Sequence, residues 1–256
     1  MNRFLLTLFA AISLTLPTMA QDDAWKPGEK INYTVFYSVM GLYVNAGTAS
    51  FTTSSAVHED RNVYHVVGEG RTNPSYDWIF KVRDRYETFI DQESKKPVKF
   101  IRNVHEGNYK RYEEVVFDHG EKAAVTKKGI YKIPNEVQDV VSSLYYARNL
   151  DYDKFKPNDK IHFNMFLGDE VYDMYIRYVG KETIKTKFGT YRAIKLKPLL
   201  IKGNVFEGGE KMTVWVTDDA NHIPVRIESD LSVGKVKVDL NNHKNLKYPL
   251  TSLATK

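Results

Sequence analysis

Residues 138–148 read QDVVSSLYYAR and gather one acid, two serines, two tyrosines and an arginine. Such a set could act on an ester or amide, with Ser142 or Ser143 as nucleophile. A serine nucleophile needs a base within hydrogen-bond reach. No histidine lies near the segment in sequence, so only the fold could supply one. The seven histidines (His58, His65, His105, His119, His162, His222 and His243) form no HxH, no HExxH and no i, i+4 pair, and the chain has no cysteine. A preformed zinc site is not expected, and no GxSxG, Walker or GxGxxG motif signals a hydrolase elbow, a phosphate cradle or a dinucleotide. The expectation is therefore no catalytic residue, no metal and no cofactor.

Acids offer the second chemistry. In VRDRYETF, residues 82–89, strand periodicity puts Val82, Asp84, Tyr86 and Thr88 on one face and Arg83, Arg85 and Glu87 on the other. Asp84 then lies among apolar and aromatic neighbours and needs a cation or several donors. The preferred partner is Arg148, which falls in the apolar stripe of the segment quoted above, at its last turn. Upstream, NPSYDWIF (residues 73–80) breaks the strand pattern and crowds aromatics together. Tyr76, Trp78, Phe80 and Tyr86 are the candidate ligand-binding residues should a cavity exist. The competing enzymatic reading is a hydrolase of an envelope polymer acting through paired acids drawn from Asp84, Glu87, Asp218 and Asp219.

The elements that must position these groups are mostly strands. KINYTVFYS (30–38) and VYDMYIRYV (171–179) alternate apolar and polar residues, and the period recurs near Ile194, Val214, Val225 and Val236. Turn signals separate the runs, as at Glu106-Gly107, His119-Gly120, Gly168-Asp169 and Phe188-Gly189. Seventeen tyrosines and thirteen phenylalanines suit pleated surfaces. The fold expected is mainly β: an antiparallel curled sheet, half-barrel or sandwich. One helix, about 136–149, interrupts it, with Asn135 as a start signal and Val137, Val140, Val141, Leu144 and Tyr145 on its buried stripe. Asp139, Ser142, Ser143 and Tyr146 are assigned to the solvent face.

KPGEKINYTVF (26–36) and KPNDKIHFNMF (156–166) echo one another, each a proline turn leading into an alternating strand. The echo suggests two similar β lobes, about 25–134 and 150–245, joined by the helix and followed by a short C-terminal tail. No Gly/Ser or Pro-rich linker separates them, so residues 21–256 are read as one β-rich domain.

At the N-terminus, Arg3, the apolar run FLLTLFAAISLTL and the small residues of TMA before Gln21 read as a secretory signal peptide, residues 1–20, cleaved after Ala20. The run is shorter than the roughly 20 residues a bilayer-spanning helix needs. A periplasmic or otherwise exported protein is expected, with no transmembrane segment after cleavage. An exported chain without cysteine relies on its core rather than on disulfides. Its net charge of +5 is spread among interleaved acids and bases, which argues against nucleic acid as partner.

Taken in order, PGEKINYTVFYSVMGLYVNAGTASF, RTNPSYDWIFKVRDRYETFID, QDVVSSLYYAR, GKETIKTKFGTYRAIKLKP and VWVTDDANHIPVRIES resemble the domain of unknown function 3108 family of exported bacterial proteins. The resemblance covers nearly all of the mature chain. It implies a β-rich envelope protein of a Gram-negative bacterium and brings no established catalytic residue. Its general plan is similar to that of half-barrel envelope proteins that handle lipid or glycolipid. The function expected is a non-catalytic binding or carrier module for an apolar or amphiphilic, lipid-like ligand. A scaffold that binds another envelope protein through an exposed sheet edge is the remaining alternative.

Overall fold

A computed structural model describes residues 23–39, 41–202, 208–231 and 233–255. The signal peptide expected over residues 1–20 and its expected cleavage site lie outside the described residues. Strands β1 (Lys30–Val39), β2 (Leu42–His58), β3 (Arg61–Thr72), β4 (Arg83–Asp91), β5 (Pro97–Glu106), β6 (Tyr109–Asp118), β7 (Ala123–Thr126) and β8 (Gly129–Lys132) run as successive antiparallel neighbours. A two-residue strand, β9 (Val137–Gln138), leads into helix α1 (Val140–Arg148). The second half follows as β10 (Lys160–Leu167), β11 (Glu170–Thr186), β12 (Gly189–Pro198), β13 (Met212–Thr217), β14 (Pro224–Asp230) and β15 (Lys235–Lys244), with β16 (Leu253–Thr255) against β12. Pairing of β1 with β15 fuses the halves into one sheet, in the order β8 to β1 and then β15 down to β9. Every pairing is antiparallel except β9 with β10.

The sheet path ends at β8 and β9, yet the ends meet. Phe166 of β10 packs edge-on against Phe117 of β6 at 6.0 Å and lies 5.8 Å from Tyr131 of β8, and Lys128 pairs with Asp169. The curl is thus closed by side chains instead of a backbone ladder, as expected of a half-barrel rather than a fully hydrogen-bonded barrel.

Both halves open with the same device. Glu29 N–H donates to Lys26 O and Asp159 N–H to Lys156 O, closing four-residue turns with Pro27 and Pro157 second and residues at positive φ third, Gly28 at +86° and Asn158 at +79°. That is the chemistry of a type II turn. Each turn then docks on the following long strand through paired bonds, Gly28 N–H to Thr53 O and Asn158 N–H to Tyr178 O, with Thr53 N–H and Tyr178 N–H donating back.

Helix α1 starts later than its sequence pattern suggests, because Val137 and Gln138 are held in the sheet by β10. Its cap is Asp139, whose carboxylate accepts from the N–H groups of Val141 and Ser142, while Ser142 Oγ accepts from Asp139 N–H. The helix sits inside the curl, so more than one of its faces is enclosed. Val141 and Tyr145 pack with Trp25, Ile90 and Phe100, where each fully buried large side chain contributes about 1.5–3 kcal/mol. Asp139 and Ser142, expected to meet solvent, are buried, and Leu144, expected in the core, is 41% exposed. The amphipathic stripe misled here because capping, not apolar packing, seats the first turn.

Candidate functional site

The inner face of the curl is built from alternate residues of β1 to β6. Registers align Ile31 with Phe51, Tyr33 with Ala49, Phe51 with Gly68, Gly70 with Asp84, and Tyr86 with Gly68 and Arg102. Glycines at 68 and 70 deepen this wall. A Cβ on Gly68 would stand 2.8 Å from the Phe51 ring, whereas one on Gly70 would meet nothing within 4 Å.

Two cavities flank Leu144. One, about 250 Å³, lies among Ala49, Phe51, Gly70, Asp84, Tyr86 and Val140. The other, about 120 Å³ and almost wholly apolar, lies among Tyr33, Phe163, Ile176, Leu196, Val214 and Val216, between the two halves of the sheet. Phe51 and Leu144 belong to both walls. The result is an interior apolar groove with a half-exposed leucine as its partition.

The groove becomes polar where β4 meets β5. Asp84 Oδ1 accepts from His105 N–H at 3.0 Å, and Glu106 shares its face of the sheet as a neighbouring acid. Burial raises both carboxyl pKa values above the usual carboxylate range, and the charge of Asp84 raises Glu106 further. Two acids this close hold a proton between them more readily than either would alone. Burial also pushes Tyr86 up to about 12. Arg102 faces the pair from β5 and donates through Nη1 to Glu113 at 3.2 Å, while its Nε–H is buried without a partner.

Arg148 does not meet Asp84. Its guanidinium donates to Glu29 Oε1 at 2.6 Å and Oε2 at 2.9 Å, and also to the carbonyls of Asn221 and Ala24. The strand registers set Asp84 level with Tyr33, four residues along the sheet from Glu29 and three strands away, and the arginine at the helix C-terminus reaches Glu29 instead. Tyr86 lines the larger cavity, but Tyr76, Trp78 and Phe80 stand outside both cavities on the β3–β4 connection, with Trp78 82% exposed. The other acids considered do not join Asp84. Glu87 points to the outer face, bonded to His65 and Arg85; Asp218 pairs with Lys181; Asp219 accepts from Thr217 and Asn221 within its turn and from Ser252 N–H of the C-terminal segment. Glu106, Arg102 and Phe51 were not read as site residues in the sequence, and Leu144 was read only as part of the helix's buried stripe, although Glu106 carries the strand parity of Arg102 and faces inward with it.

Ser142 and Ser143 have no histidine partner: Ser142 completes the helix cap and Ser143 Oγ donates to Val140 O. Among the described residues no group of three or more His, Asp or Glu side chains is arranged to hold a metal, and no helix is long and apolar enough to cross a membrane.

A family model described as "Protein of unknown function (DUF3108)" matches residues 32–241. No curated protein matches the chain. Among solved structures, a β-barrel-like protein of domain of unknown function DUF1849 from Brucella abortus superposes with a TM-score of 0.57 at 10% identity, covering 86% of this chain and 98% of that one. An exported-type protein with a YmcC-like fold from Bacteroides fragilis (TM-score 0.35, 12% identity, 86% and 96% covered) also matches. So does a lipoprotein-type chain from Parabacteroides distasonis (0.39, 14%, 88% and 100%).

Proposed function

Because the chain belongs to the DUF3108 family, described only as proteins of unknown function, the site itself must carry the functional reading, and we propose that the protein is an exported, non-catalytic binding or carrier module for an amphiphilic, lipid-like molecule. The observation that supports this reading is the interior groove on both sides of Leu144, apolar along Phe51 and Val216 and polar at Asp84, with Glu106 and Arg102 behind Asp84 on the same face of the sheet. An acyl chain fills the apolar part, displacing water from surfaces that water solvates poorly. A polar head lies against Tyr86 and the acid pair, and an oxygen on it satisfies the Arg102 Nε–H, whose isolation costs about 1–3 kcal/mol. Export agrees with the signal-like first twenty residues and with the exported type of one structural neighbour.

The test is native mass spectrometry with lipid extraction on the protein purified from its own cell envelope. A small amphiphile bound at one per chain, and lost when Gly70 is replaced by phenylalanine, is the expected result. Folded wild-type protein that carries no small molecule and binds none from envelope lipid would reject it.

A second reading rests on Asp84 and Glu106 as an acid–base pair for hydrolysis. Carboxyls that flank a glycosidic bond sit about 5 Å or more apart. Here the charge of Asp84 raises the proton affinity of its neighbour Glu106, and Asp84 is itself engaged by the His105 N–H, an arrangement that does not resemble two acids placed on either side of a substrate bond. Turnover of an envelope polymer that vanishes in Asp84→Asn and Glu106→Gln alike would favour the enzyme instead.

A further inference from the structure

The aromatic residues that fail to line the groove have another distribution: they cluster at one rim. Strand registers bring the β14–β15, β1–β2, β3–β4 and β5–β6 connections to the same end of the sheet. Contacts tie these neighbours together: Tyr37 Oη donates to Val233 O at 2.9 Å, Asn73 N–H to Ala46 O at 2.8 Å, and Gly107 N–H to Lys81 O at 2.8 Å. On this rim Leu42 is 77% exposed and Val233 69%, and Tyr43, Val44, Ile79 and Phe80 are exposed beside Trp78. The indole N–H of Trp78 donates to Ser75 O at 3.0 Å, which holds the ring outward. Phe80 is set by contact with Gly107, where a Cβ would come within 2.9 Å of the ring.

Cations interleave with these tips. Lys237 lies 4.2 Å over the Tyr43 ring, Arg71 and Lys81 flank the Trp78 loop in sequence, and Lys110 follows the neighbouring β5–β6 turn. The acid of that loop, Asp77, is neutralised by Arg83 at 2.6 Å. Exposed tryptophan and aliphatic side chains at hairpin tips, flanked by lysines whose stems are apolar and whose heads stay wet, match the chemistry of a bilayer interface. The excess of cations fits an anionic one.

We propose that this rim docks the protein on an anionic lipid surface, with Trp78, Leu42 and Val233 entering the interface and the neighbouring lysines and arginine meeting lipid phosphates. The proposal does not depend on what the groove binds. Trp25 and Trp215 are buried, so the tryptophan fluorescence change on docking comes from Trp78.

The experiment mixes the purified protein with vesicles of phosphatidylcholine alone or with added phosphatidylglycerol, and follows co-sedimentation and tryptophan emission. Expected are a blue shift and sedimentation with phosphatidylglycerol vesicles, weakened at about 0.5 M salt, where charges are screened beyond a few ångströms. Leu42→Ser/Val233→Ser keeps the Trp78 reporter and lowers partitioning at least tenfold. These side chains bury little in the protein, so its melting temperature stays within 2–3 °C of wild type, roughly what a change under 1 kcal/mol gives. Three results would overturn the proposal: no binding to either vesicle, equal binding by wild type and the double variant, or sedimentation velocity showing that the tips pair two copies of the chain.

Discussion

Breaking the Arg148–Glu29 pair is the most direct probe of how the helix is held over the groove. Glu29 is 1% exposed and Arg148 4%, and the guanidinium donates four hydrogen bonds, two to the carboxylate and two to carbonyls. Tyr145 lies 5.3 Å and Trp25 5.8 Å from the guanidinium carbon, so the cation is also covered by aromatic faces. Arg148→Met preserves much of the volume but leaves a carboxylate buried without a cation. Removal of one partner from a buried pair costs about 3–5 kcal/mol. At about 2–4 °C per kcal/mol for a domain of this size, the melting temperature falls by about 10 °C. Glu29→Gln alone is also costly, because it leaves the arginine unpaired. The Glu29→Gln/Arg148→Met double variant loses less than the sum of the two, as expected of coupled groups. Urea denaturation of the four proteins closes the cycle. A loss below about 1 kcal/mol in Arg148→Met, or additive single losses, would show that the pair is not what fixes the helix end.

Burial raises the carboxyl of Asp139 from 3.8 to about 6. The folded state therefore binds the extra proton between pH 4 and 6, and stability falls as pH rises through that window by about 3 kcal/mol. Asp139→Asn keeps a capping acceptor and flattens this slope, which denaturation at several pH values measures. Gly70→Phe, placed where a Cβ meets no atom, changes stability by less than about 1 kcal/mol yet occupies the larger cavity; a loss above 3 kcal/mol would mean the space is not available. Leu144→Ala costs under about 2 kcal/mol by calorimetry, below the usual 2–5 for a core leucine, because its side chain is already 41% exposed. Gly28→Ala, at φ +86°, costs about 1–2 kcal/mol, whereas Asn158→Gly at φ +79° is neutral or better, a difference thermal melts resolve.

Much of the sheet was legible because alternation is a local signal. KINYTVFYS and VYDMYIRYV became β1 and the first half of β11, and the paired KPGEK and KPNDK turns fold alike down to their hydrogen bonds. The ion-pair partner of Arg148 was less legible. Glu29 shares the parity of Ile31 and Tyr33, so an inward direction could be read, but its counterpart Asp159 is exposed and bonds its own turn at Lys156. Only the approach of the helix C-terminus makes one of these acids a buried partner, and that is a long-range fact. The same holds for Ser142 and Leu144. Helical periodicity says which residues share a face, not how many faces the surroundings enclose. Trp78 and Phe80 were crowded with apolar neighbours in sequence, yet the loop carrying them leaves the sheet at its rim, where crowding in sequence does not become burial.

The way α1 is attached bears on why a groove persists at all. Its N-terminus is fixed by Asp139, which accepts from Thr88 on β4, and its C-terminus by Arg148 with Glu29, Asn221 and Ala24. Both anchors are polar, directional and buried, so they set the helix at a defined height above the sheet. Between them, Val141 and Tyr145 are buried in the core yet also border the cavities, and Leu144 stands between the two cavities. A helix held only by apolar contact would settle onto Phe51 and the glycines of β3 until that space closed, since interiors pack to high density. Polar pinning at both ends opposes that collapse and leaves apolar surface uncovered in the middle. The apolar space bordered by Tyr86, Leu144 and Val216 is the space that the proposed ligand would fill.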